Sequence, residues 1–233
     1  MHELRTVTKV AQTEFAALIS RAIESGGVSM DAYARFLRME HYLTRDVQQR
    51  FYQCAGASAM KPYPAIREFL VSFANEEAPH HQDAIDDLAS MGSVLGSEPL
   101  DVALYHSFWR QWPPTRPFFR LGSTCVVENI SGGDSSEKVL QVISSFRSKG
   151  LGVKFATDHA HVELKHGDGI VEVLERAALS ESDYNDLVAG ARIGAVMYLR
   201  MIKWCLQPDE LDIFSVDLPS YACSYPAESV EHD

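Results

Sequence analysis

Three side chains in the second half of the chain have the types and the spacing of a metal-binding stripe. His159, Glu163 and His166 lie in the proline-free segment 152–181, which the sequence predicts to be helical. Positions i, i+4 and i+7 of a helix lie on one face over two turns. Two imidazoles and a carboxylate on that face suit a transition metal, and burying them without a partner would be costly. The alternative is a stripe that faces water, as runs of His, Glu and Lys often do.

Other segments that are predicted to be helical bring further candidate ligands. These are Glu40, Glu77 with His80 three residues later, and Glu128 after an apolar pair. A Glu-x-x-His spacing therefore occurs twice, because Glu163 and His166 repeat it. A dinuclear site in a helical bundle draws such groups from several facing helices. The combination predicts a dinuclear metal centre, and ligands without thiolate favour iron or manganese over structural zinc.

Some ligand assignments stay open in the sequence. Pro79 lies between Glu77 and His80 and interrupts the predicted helix. His81 is four residues after Glu77, so either imidazole could bind the metal. Glu76 is a neighbouring alternative acid, and Glu40 taken alone could be an ordinary surface or ion-paired residue.

The hydrophobic periodicity predicts helices and no strand of useful length, which indicates an all-α bundle of about seven to eight helices. Ser29 is expected to cap the second helix, and Ser135 or Ser136 the sixth. The predicted helical segments are 6–25, 29–55, 65 to 88 or 91, 101–112 (closed by Pro113 and Pro114), 116–130, 135 or 136 to 149, 152–178 and 182–206.

Length and charge limit the class of protein. The 233 residues suffice for one domain over 1–233, with 208–233 as a C-terminal tail. The net charge of −11 argues against nucleic acid or an anionic membrane as a partner. The polar N-terminus does not resemble a signal peptide, and no apolar run reaches the length of a membrane span. Four widely separated cysteines fit a reducing compartment, so we expect a cytoplasmic protein.

The succession of Glu77-x-x-His80, Glu128 and His159-x-x-x-Glu163-x-x-His166 resembles the haem-oxygenase-like di-iron oxidases and oxygenases. This group shares its helical fold with haem oxygenase, the TenA proteins and pyrroloquinoline-quinone synthase. The resemblance covers roughly residues 29–206. In the family the last motif is His-x-x-x-Asp-x-x-His, so Glu163 is a departure that changes how the second metal would be held.

The resemblance implies a ligand set and a reaction class. One Fe(II) would be held by Glu77, His80 and His159, and a second by Glu128, Glu163 and His166; Glu40 matches a further Glu in some members. No catalytic residue beyond the metal ligands is implied. With O2 as cosubstrate and an external electron donor, the enzyme would oxidise a small amino acid or related carboxylic acid in natural-product biosynthesis. Desaturation, C–C cleavage or decarboxylation, N-oxygenation and nitrile formation all belong to this class, and a homodimer is compatible with it.

Arginines offer a way to bind a substrate carboxylate, because guanidinium can hold it bidentately. The candidates are Arg35, Arg116, Arg120 and Arg192.

Other functions remain open from the sequence. A ferritin-like iron protein would also show two Glu-x-x-His motifs and two more Glu, but it has no need of His159. A TenA-like, metal-free hydrolase would use a cysteine nucleophile, for which Cys125 is the candidate. A haem oxygenase would bind haem through one axial His, and a non-catalytic, partner-binding helical protein is the remaining alternative.

Overall fold

The computed structural model describes residues 1–208, apart from the side chains of residues 161–165. Within that range it is helical and contains no strand, so the all-α prediction is confirmed. Single turns of 3-10 helix occur at Ser58–Met60 and Gly133–Ser135. The α-helices are α1 (His2–Glu24), α2 (Met30–Thr44), α3 (Val47–Gly56), α4 (Pro64–Glu77), α5 (His80–Ser90), α6 (Leu100–Trp109), α7 (Trp112–Thr115), α8 (Pro117–Val127), α9 (Ser136–Ser148), α10 (Lys154–Arg176) and α11 (Glu181–Leu206).

Two of the eight predicted helices are each divided in two, and α7 is an additional short helix after α6. The break between α4 and α5 falls at Ala78 and Pro79, as the proline predicts. The break between α2 and α3 has no such signal: Asp46 leaves the helical region at φ −110° and ψ 13° without glycine or proline nearby. The prediction that Pro113 and Pro114 close a helix is wrong. They lie in the first turn of α7, where a proline needs no backbone N–H partner.

Serine caps confirm two of the helix starts that the periodicity indicates. Ser29 accepts a hydrogen bond from the Ala32 backbone N–H at 3.1 Å and caps α2. Ser180 does the same for Asp183 at 3.2 Å and caps α11. Ser135, one of the two predicted positions, is the N-cap residue of α9, but its hydroxyl donates to the Ile130 and Gly132 carbonyls and makes no capping hydrogen bond.

The segments that carry the predicted ligands converge on one another. α2 packs against α5 and α11, and α10 contacts α4, α5 and α8. α8 and α11 cross closely, because glycines stand where their backbones meet. A Cβ added at Gly122 would lie 1.9 Å from the Leu187 carbonyl oxygen, and one at Gly190 1.7 Å from that of Phe119. This crossing fixes the position of Glu128, directly after α8.

None of the helices in the described part of the chain is both long enough and apolar enough to span a bilayer. The predicted tail lies outside the described residues, except for Pro208.

Candidate metal centre

The described side chains include two overlapping groups of three that could each hold a metal ion. The first consists of Glu77, His80 and His159, and the second of Glu77, Glu128 and His166. In each group the ligand atoms lie within 4.8 Å of one another. The structure thus brings five of the seven predicted ligands together, and Glu77 belongs to both groups.

The two oxygens of the Glu77 carboxylate face different imidazoles. Oε1 lies 3.0 Å from His166 Nδ1, and Oε2 lies 2.9 Å from His80 Nδ1. The side chain of Glu77 is 5% exposed, so burial alone would raise its pKa. The contacts with His166 and His80 outweigh burial and lower the pKa to about 2. A carboxylate that is ionised and presents one oxygen to each side is suited to bridging two cations.

His80 rather than His81 lies in the first group. Glu77 is the last residue of α4 and His80 the first of α5, yet the turn at Pro79 keeps their side chains in contact. The His81 ring packs instead against that of His41, with centroids 5.7 Å apart. The backbone carbonyl of His81 accepts a hydrogen bond from His41 Nδ1 at 3.0 Å. The geometry therefore favours His80 in the choice that the sequence left open.

His159 is held in the protonation state that a metal ligand needs. Its Nδ1 lies 2.8 Å from the Phe155 carbonyl oxygen, which can only accept, so Nδ1 carries the proton and Nε2 keeps its lone pair. The ring stacks on Phe155 with centroids 3.8 Å apart. Burial lowers the pKa of His159 to about 4, and nearby His80 adds to this effect. At neutral pH the imidazole is therefore uncharged.

His166 is oriented by an acid that the sequence did not single out for this role. Its Nε2 lies 3.0 Å from Glu76 Oε2, and the carboxylate accepts that proton. Nδ1 lies 3.0 Å from Glu77 Oε1, so the ring is between two carboxylates. Burial alone would lower the pKa of His166, but the contacts with Glu77 and Glu76 raise it. A metal-binding histidine commonly donates its other N–H to a carboxylate in this way. Glu76 thus fits an outer position, in contact with His166 rather than in either group of three.

One predicted ligand, Glu40, stands apart from these groups, and another lies outside the described side chains. Glu40 lines a small cavity together with Glu77, Glu128 and His159, but it belongs to neither group. Its Oε1 accepts a hydrogen bond from the Tyr198 hydroxyl at 2.7 Å. Burial raises the pKa of Glu40 to about 7, although this hydrogen bond opposes the shift. Glu163 lies on α10 between His159 and His166, but its side chain is outside the described residues.

The donor set fits a pair of transition-metal ions. Glu77, Glu128, His159 and Glu40 surround a cavity of about 40 Å³ between α2, α4, α8 and α10. Carboxylates and imidazoles without thiolate are ligands that iron accepts, and a cation would offset the cost of burying these acids. The imidazoles of His159 and His166 would supply nitrogen ligands.

Cys125 does not have the setting of a nucleophile. It is fully buried on α8, and burial, together with the nearby Glu128 carboxylate, raises the pKa of its thiol. Reactive cysteines are accessible and have a lowered pKa. The structure thus argues against the metal-free hydrolase that would use Cys125.

Replacing Glu76 with alanine is expected to weaken metal binding in the group that contains His166. The ring would lose the acceptor that fixes its orientation, and the loss of such an outer partner costs about 10–100-fold in metal affinity. Anaerobic Fe(II) titration would show one weakened and one unchanged binding step. Glu172→Ala is the matched control, because Glu172 is an exposed acid that pairs with Arg176 on the surface of α10. Equal weakening of both steps would contradict the assignment.

Comparison with known proteins adds evidence on the fold. No protein-family model matches the chain, and a search of curated proteins found no relative. A crystal structure from Shewanella denitrificans OS217, of a domain of unknown function with a heme oxygenase-like fold, superposes with a TM-score of 0.72. The two chains are 20% identical, and the match covers 94% of each. This chain has a haem-oxygenase-like fold. At this level of identity the likeness extends to the fold alone, so membership of the di-iron oxidase family stays a prediction.

Proposed function

We propose that this haem-oxygenase-like protein is a non-haem di-iron oxidoreductase that uses O2 to oxidise a small amino acid or a related carboxylic acid. The observation that carries the proposal is the pair of ligand groups that share Glu77. Two separate mononuclear sites would not need a buried carboxylate with one oxygen facing each set of imidazoles. A buried carboxylate placed in this way would suit a pair of neighbouring ions.

The described residues form two ligand sets, one for each ion. Glu77, His80 and His159 would hold one, and Glu77, Glu128 and His166 the other; Glu163 is a further predicted ligand of the second. Two bound Fe(II) ions would supply the redox chemistry with O2, and an external donor would supply further electrons. Burial keeps His159 uncharged, and the Phe155 carbonyl fixes the proton on its Nδ1.

The reaction that we propose is an oxidation of the kind found in natural-product biosynthesis. Desaturation, C–C cleavage, N-oxygenation and nitrile formation are its possible outcomes. The small cavity lined by the candidate ligands limits the part of the substrate that enters it to a few heavy atoms. This limit supports a small acid or amino acid over a bulky substrate.

Anaerobic titration with Fe(II), followed by stopped-flow mixing with O2, tests the proposal. We expect about two ions per chain and a transient absorption after mixing. His159→Ala serves as the control, and it should lower the iron content and abolish the transient. Failure of the wild-type protein to bind iron, or iron binding without any reaction with O2, would refute the oxidase.

A further inference from the structure

Arg120 is a buried cation to which the described residues offer no carboxylate partner. It lies on α8 and is 5% exposed, and its Nη1 donates to the Thr124 hydroxyl at 2.9 Å. Its Nε is buried without a hydrogen-bond partner, and the guanidinium forms no ion pair within residues 1–208 as described. The guanidinium carbon lies 5.9 Å from the centre of the Tyr105 ring and 5.5 Å from that of Trp109. Aromatic faces compensate only part of the cost of burying a charge.

A second buried arginine, Arg50, and buried N–H groups that lack acceptors lie near Arg120. Burial first, and then repulsion from Arg120, lowers the pKa of Arg50 to about 10. Arg50 Nη2 lies 3.4 Å from His106 Nε2. The same Nη2 lies 3.7 Å from Oδ2 of Asp46, the residue before α3. Arg50 Nη1 and Trp109 Nε1 are buried and lack hydrogen-bond partners among the described residues. An anion next to Arg120 would relieve the repulsion and supply the missing acceptor.

Arg120 lies in the wall of the cavity that the candidate metal ligands line. Arg120 and Thr124 lie on α8 and Glu128 directly follows it, at intervals of four residues, and all three contact that cavity. Because Arg120 reaches the hydroxyl of Thr124, its charged end is about one helical turn, roughly 6 Å, from the level of Glu128. An anion at Arg120 would therefore extend toward Glu128 and His159 within the same cavity.

The other candidate arginines lack this setting. Arg116 pairs with Asp186 and Arg192 pairs with Glu3, in both cases at the surface. Arg35 donates its Nε to the backbone carbonyl of Cys205. Arg120 is thus the candidate that is both buried and in contact with the cavity.

We propose that Arg120 binds the carboxylate of the substrate, and that the substrate is a small organic acid whose remaining atoms face the metal ligands. This proposal rests on the proposed function. The planar guanidinium suits bidentate binding of a carboxylate, which the ammonium of lysine does not reproduce. The cavity volume of about 40 Å³ restricts the acid to a short chain.

Binding of butyrate tests the proposal without any turnover. Butyrate and the neutral butyramide would be titrated into metal-free and Zn(II)-loaded protein, with calorimetry and tryptophan fluorescence as readouts, since Trp109 is beside Arg120. We expect binding of butyrate but not of butyramide. Arg120→Gln should weaken butyrate binding about tenfold or more, because it removes a charge-assisted hydrogen bond. Arg116→Gln, which removes an exposed guanidinium from the residue just before the same helix, should leave binding unchanged.

The outcomes separate this proposal from the proposed function. Arg120→Gln that binds butyrate as the wild type does, in both metal states, overturns the assignment. So does wild-type protein that does not prefer butyrate to butyramide. If Arg120→Gln does not fold, Arg120→Lys is used, and it should bind butyrate more weakly than the wild type. Butyrate binding that depends on Arg120 in a protein unable to bind iron would support the anion site while rejecting the oxidase.

Discussion

Replacing Glu77 with alanine is expected to weaken iron binding at both positions of the candidate metal centre. Glu77 belongs to both ligand groups, and each of its oxygens faces a different imidazole. The loss should exceed about 100-fold at each position, the upper end of what removal of an outer-sphere partner costs. His80 and His166 would also lose the carboxylate that they contact. Anaerobic Fe(II) titration with a chelator assay would give the stoichiometry and both affinities.

Glu128→Ala is the informative comparison with Glu77→Ala. Glu128 belongs only to the group with His166, so its removal should leave at most one ion per chain, bound with the wild-type affinity. Glu172→Ala again controls for the loss of a negative charge at the surface, and circular dichroism would confirm that each variant folds. One tightly bound ion remaining in Glu77→Ala would show that the two positions do not share this carboxylate.

Periodicity and local chemistry were sufficient to predict the helical architecture. Apolar positions at the helical period marked the eight segments, and Ser29 and Pro79 acted as the sequence predicts. The break at Asp46 was missed, because no glycine or proline marks it and the apolar pattern continues through it. Pro113 and Pro114 were misread, since a proline can begin a helix as readily as it follows one.

Sequence spacing identified candidate ligands but could not assign their contacts. The spacing between Glu77 and His80 or His81 allowed either imidazole, and the orientation of α5 after the Pro79 turn decides between them. Glu77 was assigned to a single ion, because the directions of its two oxygens depend on how α4 faces α10. The same packing places Glu76 against His166. Spacing within one helix carries no information about the rotation of its neighbours.

The close crossing of α8 and α11 makes Gly190→Ala the substitution with the largest expected effect on stability. A Cβ at this position would lie 1.7 Å from the Phe119 carbonyl oxygen, so the two backbones would have to move apart. Overpacking of this kind costs about 3 kcal/mol or more. For a chain of this size, a loss of about 3 kcal/mol corresponds to a fall in Tm of roughly 6–12 °C. Thermal unfolding followed by circular dichroism measures the change.

Gly56→Ala separates this packing effect from the difference in helix propensity between alanine and glycine. Both residues are helical, but a Cβ at Gly56 would meet no atom within 4 Å. Alanine is favoured over glycine in a helix by up to about 1 kcal/mol, so Gly56→Ala should be neutral or stabilising. Opposite signs of the stability change in the two variants would show that backbone contact sets the position of α8.

Because Glu128 directly follows α8, Gly190→Ala should also weaken iron binding, whereas Gly56→Ala should not. A Tm for Gly190→Ala equal to that of the wild type would contradict the close crossing.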